Sequence, residues 1–352
     1  MFHNNLFKRK SKASLITYTM QYLSILDSIR NCNLSTSLPP KRPVLTLTRG
    51  KENSSIDSTI VRRSANYHPT IWHHDYIQSI SKYVGELFNR KIDKLKGEVT
   101  MMFYKVVDPI KQLELIDTLQ RLGVSYHFED EIRKILENKY ITRHNAVEFR
   151  LLRQHGYDVP QETFKSLFNE KENFKECFCI DIEGMLAFYE ASFHLREGES
   201  ILEEARNLAT KHLKEYVDQN NNQYLCTMVN HALELPLHWR VIRFEVRWFI
   251  NAYRSKEDMN PTLLNLAELD FNMVQAIHQE DLKEVWWRST GLGDLSFVRD
   301  RVVENFLWAA AALFQPQFGY ERRMLTKLGA LLTILDDVYG IYGTLEELKL
   351  WW

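Results

Sequence analysis

Asn260-Pro261 opens a run, residues 262–287, that holds neither glycine nor proline. Asparagine can cap a helix start with its side chain, and proline is tolerated in the first turn. The run therefore predicts one helix that is long for a globular protein. The rest of the chain is similar in kind. Its 352 residues include 13 Gly and 9 Pro, where usual frequencies of about 7% and 5% would give roughly 25 and 18. A chain so poor in turn formers favours long helices over many short strands. Apolar spacing predicts helices over 72–88 (punctuated by Gly85), 108–122, 129–136, 182–190, 200–215, 223–233, 239–254, 299–313 and 321–339. No strand-period run of useful length interrupts them, and the expected fold class is all-α. A domain boundary is expected just before the long helix, near 255–259.

Length sets a prior of roughly two domains. Hydrophobic residues at 45% and charged residues at 26% describe a globular protein with a sizeable core. The net charge of −1 argues against nucleic acid as a partner. No run of about 18 apolar residues is present, so no membrane span is expected. Cys32, Cys177, Cys179 and Cys226 have no zinc-ligand spacing, and reduced, mostly buried thiols are expected.

The first fifty residues differ from the remainder. They carry eight Lys or Arg, eleven Ser or Thr and a single acid, Asp27. A basic, hydroxyl-rich, acid-poor leader has the composition of an organellar transit peptide. A secretory signal is the rival, but its apolar core over 15–26 is interrupted by Thr17, Thr19, Gln21 and Ser24. A disordered tail has the same composition.

Chemistry concentrates near the other end, in Gly329-Ala-Leu-Leu-Thr-Ile-Leu-Asp-Asp-Val-Tyr-Gly340. An apolar run passes directly into Asp336 and Asp337. On a helix, positions 336 and 340 share a face, while Asp337 points roughly 100° away. Neighbouring carboxylates suit Mg²⁺, which takes one or two of them, keeps waters and is completed by substrate phosphates. For a bare Asp-Asp pair, a helix end with solvated acids is the commoner outcome. Arg299-Asp300-Arg301 precedes the acids by a helix and a turn, and forked guanidiniums suit diphosphate oxygens. An isolated Arg-x-Arg is more often a solvated face. Trp308 lies between them on an otherwise apolar helix, where core is the simplest role.

Together these residues resemble the plant terpene synthase family, in its angiosperm monoterpene synthase form. Asp336-Asp337-Val338-Tyr339 with Tyr342-Gly343-Thr344-Leu345 and Glu347-Leu348 is similar to that family's aspartate-rich motif, and Arg299-Asp300-Arg301 to its R-x-R element. Arg62-Arg63, separated from Trp72 by eight residues, resembles its tandem-arginine element. Leu235-Pro-Leu-His-Trp-Arg240, Arg247-Trp-Phe249, Leu269-Asp-Phe-Asn-Met-Val-Gln275 and Trp286-Trp287-Arg288 stand as further landmarks in the family's order. The resemblance covers residues 60 to about 350. It implies a transit peptide over 1–58, an N-terminal helical α/α-barrel domain over 59–255, and over 256–352 the start of a class I helical bundle that binds metal. It also implies a plastid lyase that ionises geranyl diphosphate with Mg²⁺ or Mn²⁺ to form a monoterpene and release diphosphate. Asp336 and Asp337 would serve the metal, and Arg299 and Arg301 the diphosphate. Trp308 would stabilise a carbocation through its ring face, and Arg62-Arg63 would lie on a strand that folds over the site.

Departures accompany the resemblance. Gly340 stands where the motif has its third aspartate, a segment between Asn145 and Glu148 is shorter than the family's, and one or two residues are missing before Trp286 and near Gly293-Asp294. The chain ends at Trp352, ahead of the family's second metal element. The resulting expectation is a truncated, impaired copy. A catalytically inactive helical protein that acts only by binding or regulation is the alternative from another class. A cytosolic sesquiterpene synthase is disfavoured by the leader and by Arg62-Arg63.

Overall fold

The computed structural model describes residues 68–78 (except 69 and 73), 83–139, 146–163, 181–219, 223–285 and 295–349 (except 296). The leader, Arg62-Arg63, Trp286-Trp287, Gly293-Asp294 and three of the four cysteines lie outside them. Among the described residues every regular element is helical, as the scarcity of turn formers predicts. Two compact units are distinguished, Asn66–Gly340 and a second comprising Met1–Ala65 with Ile341–Trp352.

The larger unit begins with a four-residue helix, α1 (His74–Ile77), and breaks before α2 (Glu86–Lys105). The helix expected over 72–88, punctuated by Gly85, is thus corrected: residues 83–85 are all non-helical. Gly85 precedes α2 with φ of 117°, a backbone conformation outside the helix that glycine adopts at little steric cost. There follow α3 (Pro109–Arg121), α4 (Glu129–Lys139), α5 (Ala146–Gln154), α6 (Ile182–Ser192), α7 (Ser200–Gln219), α8 (Gln223–Glu234) and α9 (Ile242–Arg254). The Asp108 carboxylate caps α3 by accepting from Ile110 N–H, and Asp181 does the same for α6 through Gly184 N–H. Helix α9 starts later than position 239 because residues 237–239 form a 3₁₀ turn behind Pro236.

The long run forms α10 (Pro261–Glu284), with the Asn260 side chain accepting from Thr262 and Leu263 N–H. Its length links two cores. Leu263, Leu266 and Leu269 join the large cluster built from α2 to α9, in which Val99, Ile116, Leu119, Phe149, Met185 and Leu202 are buried. At its far end, Leu282 and the following Val285 join a smaller cluster. That cluster is completed by α11 (Val302–Ala312) and α12 (Gly319–Asp337) through Val302, Phe306, Ala310, Ala330 and Ile334.

Helices α11 and α12 pack closely, and Gly329 permits it: a Cβ there would lie 2.8 Å from Asn305 Oδ1. The turn between them is held by a buried arginine. Arg322 is fully buried, donates through Nη1 to the Leu313 and Gln315 carbonyls, and pairs through Nε with Asp281 on α10 at 2.9 Å. Beside it, the His278 imidazole is pushed down to about 4 by burial and by the Arg322 charge. In the second unit, Thr344 and Glu347 form a reciprocal capping pair at the start of α13 (Leu345–Lys349).

Candidate functional site

Helix α12 delivers Asp336 and Asp337 in its last turn, then gives way to a π-helical turn, Val338–Tyr342. The helix expected over 321–339 is corrected at this end. A π turn winds five residues between hydrogen-bonded partners, so position 340 leaves the α-helical register that would stack it on 336. The two acids have different surroundings. The side chain of Asp337 is 2% exposed and that of Asp336 is 75% exposed.

Arg299 contacts both. Its Nη2 donates to Asp336 Oδ2 at 2.7 Å, and its backbone N–H donates to Asp337 Oδ2 at 2.9 Å. Its Nε lies 2.6 Å from Asp337 Oδ1, an ion-pair contact at an angle unsuited to a hydrogen bond. These bonds explain a further correction. Residues 299–301 were expected on a helix, but α11 begins at Val302. The Arg299 N–H is committed to a carboxylate of α12, and Asp300 Oδ1 accepts from Val302 N–H at 3.4 Å. The segment is drawn off the helix axis toward the acids.

Arg301 takes another direction. Its Nη2 donates to the His68 carbonyl at 2.8 Å and its Nη1 to the Asp300 carbonyl. The His68 carbonyl, N-terminal to α1, therefore reaches Arg301. Trp308, taken from sequence as core in its simplest role, is 48% exposed on α11. On α12, Leu328, Leu331, Leu332 and Leu335 are all partly or well exposed. At three- and four-residue spacing they form an apolar strip leading to Asp336.

The donor set bears on a metal. Among the described residues no three His, Cys, Asp or Glu side chains come together as a metal cluster. Asp336 offers an outward carboxylate, while both Asp337 oxygens face Arg299. Space is available at Gly340, where a Cβ would meet nothing within 4 Å. Mg²⁺ accepts one carboxylate when waters and phosphate oxygens complete its shell, so the residues fit an ion that shares its ligands with a diphosphate. A cavity of about 500 Å³ lies elsewhere, among Glu114, Asp117, Arg121, Glu190, Phe249 and Tyr253. None of the expected site residues lines it.

Several buried polar groupings were missed in the sequence, and two of them are built on α10. One is Arg322 with Asp281. The other is Asp270 on α10, which accepts from Tyr126 Oη at 2.6 Å and contacts His127 Nε2 at 2.8 Å. Only the Leu269–Gln275 landmark touched this second group.

The model of the terpene synthase N-terminal domain matches residues 71–233, and that of the terpene synthase family metal-binding domain matches residues 288–351. The chain belongs to the terpene synthase family. Myrcene synthase, chloroplastic, of Quercus ilex is 58% identical over 325 residues, covering 88% of this chain and 54% of that protein. The (-)-alpha-terpineol synthase of Vitis vinifera is 52% identical over 351 residues, covering 93% of this chain and 60% of that protein. The chain thus spans somewhat over half the length of the terpene synthases it matches. Among solved structures, limonene synthase with 2-fluorolinalyl diphosphate aligns at TM-score 0.77 and 43% identity, over 82% of this chain and 57% of that one. Isoprene synthase from Populus x canescens, in complex with three Mg²⁺ ions and dimethylallyl-S-thiolodiphosphate, aligns at TM-score 0.70 and 44% identity, over 75% and 53%. These terpene synthase structures share the helical fold derived above.

Proposed function

We propose that the site made by Arg299, Arg301, Asp336 and Asp337 serves the ionisation of geranyl diphosphate, yielding a monoterpene and diphosphate. One observation carries the reading: a single guanidinium bridges both acids of the aspartate motif. The diphosphate-type cation and the metal-type carboxylate are thereby one salt bridge apart. Relatives named as myrcene and terpineol synthases support the substrate class.

Mg²⁺ at Asp336 would supply charge neutralisation for the departing diphosphate. The chain's own residues do the remainder. Arg299 and Arg301 hold phosphate oxygens through forked donors that stay charged. The strip of Leu328, Leu331, Leu332 and Leu335 offers the hydrocarbon a surface that excludes water. Trp308 presents a ring face to cationic carbon, and Arg62-Arg63 would assist isomerisation of the substrate. Asp337 supports the site from beneath.

In the same reading, residues 1–58 are a plastid transit peptide, 59–255 the N-terminal helical domain and 256–352 the beginning of the metal-binding domain. Homologues named chloroplastic support the address. Gly340 leaves Asp336 as the one outward carboxylate of the motif, and the polypeptide 1–352 by itself is expected to give no terpene. Calorimetric titration with geranyl S-thiolodiphosphate and Mg²⁺ tests the binding half of the reading. Metal-dependent binding that weakens in Arg301→Ala supports it, while a folded chain blind to diphosphate favours the non-catalytic alternative. Gas chromatography on a chimera completed with the remaining segment of a relative tests the chemical half. Its product should vanish in Asp336→Ala.

A further inference from the structure

Asp336 and Asp337 hold the same arginine in unlike ways. Asp337 is buried and takes both the backbone N–H and the Nε side of Arg299, so it fixes where that residue begins and how its side chain leaves the backbone. Asp336 is well exposed and takes only the outer Nη2. An exposed ion pair is weak, whereas a pair with a buried partner is much harder to separate. Of the two contacts, the outer one is the exchangeable one.

We propose that Asp337 is the pivot of Arg299, a positioning residue that bears no metal, and that Asp336 exchanges Arg299 for a divalent cation. The proposal rests on the reading of Arg299 as a diphosphate ligand. Charge gives the exchange its direction. One guanidinium against two carboxylates leaves the trio with one net negative charge, which repels a diphosphate. A divalent cation on Asp336 turns that into one net positive charge and frees Nη2, still aimed by Asp337, toward an incoming oxygen. Metal and diphosphate then bind together more tightly than either binds alone. Gly340 accentuates this coupling, because it supplies no second outward carboxylate to retain the metal by itself.

The test neutralises each acid in the full chain and titrates inorganic pyrophosphate without metal. If charge alone mattered, Asp336→Asn and Asp337→Asn would both tighten pyrophosphate. The pivot requires opposite signs. Asp336→Asn, which opens the outer contact, tightens it about threefold, the size of one lost exposed pair, while Asp337→Asn weakens it. Changes of the same sign overturn the proposal. Should Asp337→Asn melt out in circular dichroism, Asp336→Asn/Arg299→Gln decides instead: the gain must disappear, and its survival overturns the proposal. A separate arm titrates MgCl₂ alone. Arg299→Gln should tighten Mg²⁺ about threefold by vacating Asp336, and an unchanged affinity overturns the exchange. Pyrophosphate silence in every variant, with the Mg²⁺ arm as expected, overturns the pivot's assigned purpose and the diphosphate reading while leaving the cation exchange standing.

Discussion

Two ion clusters in this chain use the same residue types under different burial. In the large core, Asp117 on α3 receives Arg121 and Arg150, and Arg121 also pairs with Glu190 on α6; Arg150 and Glu190 are buried and Arg121 is largely so. Burial opposes ionisation of Asp117, but the two guanidiniums outweigh it and hold its carboxyl below the usual range. Arg121 is likewise held above its ordinary value by Asp117 and Glu190, against its own desolvation. Around Arg299, by contrast, one acid is buried and the other open. A charge cluster whose carboxylates are all paired and largely shielded fixes helices, whereas one left open at a single carboxylate can exchange a partner.

That contrast can be broken most forcefully in the core. Glu190→Ala leaves Arg121 partly unpaired in a buried setting and should lower stability by about 3–5 kcal/mol, read by urea unfolding. A loss under about 1 kcal/mol would erase the distinction between the clusters.

Acid should act on the core next. His194 and His238 lie with ring centroids 4.9 Å apart. Both are pushed down to about 4, by burial and then by neighbouring positive charge, from His238 and Arg150 for the first and Arg150 for the second. The unfolded chain protonates histidine near about 6.5, so between there and 4 the unfolded state binds more protons. Stability should fall as pH drops through that window. The Asp117 contribution, full above its unfolded value near about 3.9, is lost at still lower pH. A melting temperature unchanged between pH 7 and pH 4.5 would contradict the histidine assignment.

At the open cluster, Asp336→Ala should change stability by no more than about 1 kcal/mol while weakening any Mg²⁺ binding measured by calorimetry. Gly340→Asp sharpens the comparison from the other side. The added side chain enters open space, so the fold should tolerate it and Mg²⁺ should bind more tightly, without restoring turnover by itself. Smallest is Trp308→Phe, expected within about 0.5 kcal/mol in thermal melts because half of the ring is already in solvent. A larger loss would return Trp308 to the core.

Much of this could be read along the chain. Scarce turn formers and helical spacing determined an all-helical fold, because these are local properties of backbone and side chain. Asn260-Pro261 set the start of α10 for the same reason. The acid pair and the Arg-x-Arg segment were visible as residue types, and their family resemblance supplied their expected order.

Tertiary structure decided what each residue does. Asp336 and Asp337 are adjacent in sequence, yet packing of α12 on α11 makes one outward and the other a buried anchor. Arg299 leaves the predicted helix because a carboxylate 38 positions away claims its N–H. Arg322 looks like any charged helix residue until Asp281 and the Leu313 carbonyl surround it. Arg301 meets His68 across 233 positions. Periodicity reports only which face of a helix is apolar; which charges meet on the other faces depends on how the helices cross, and that is a property of the packed core.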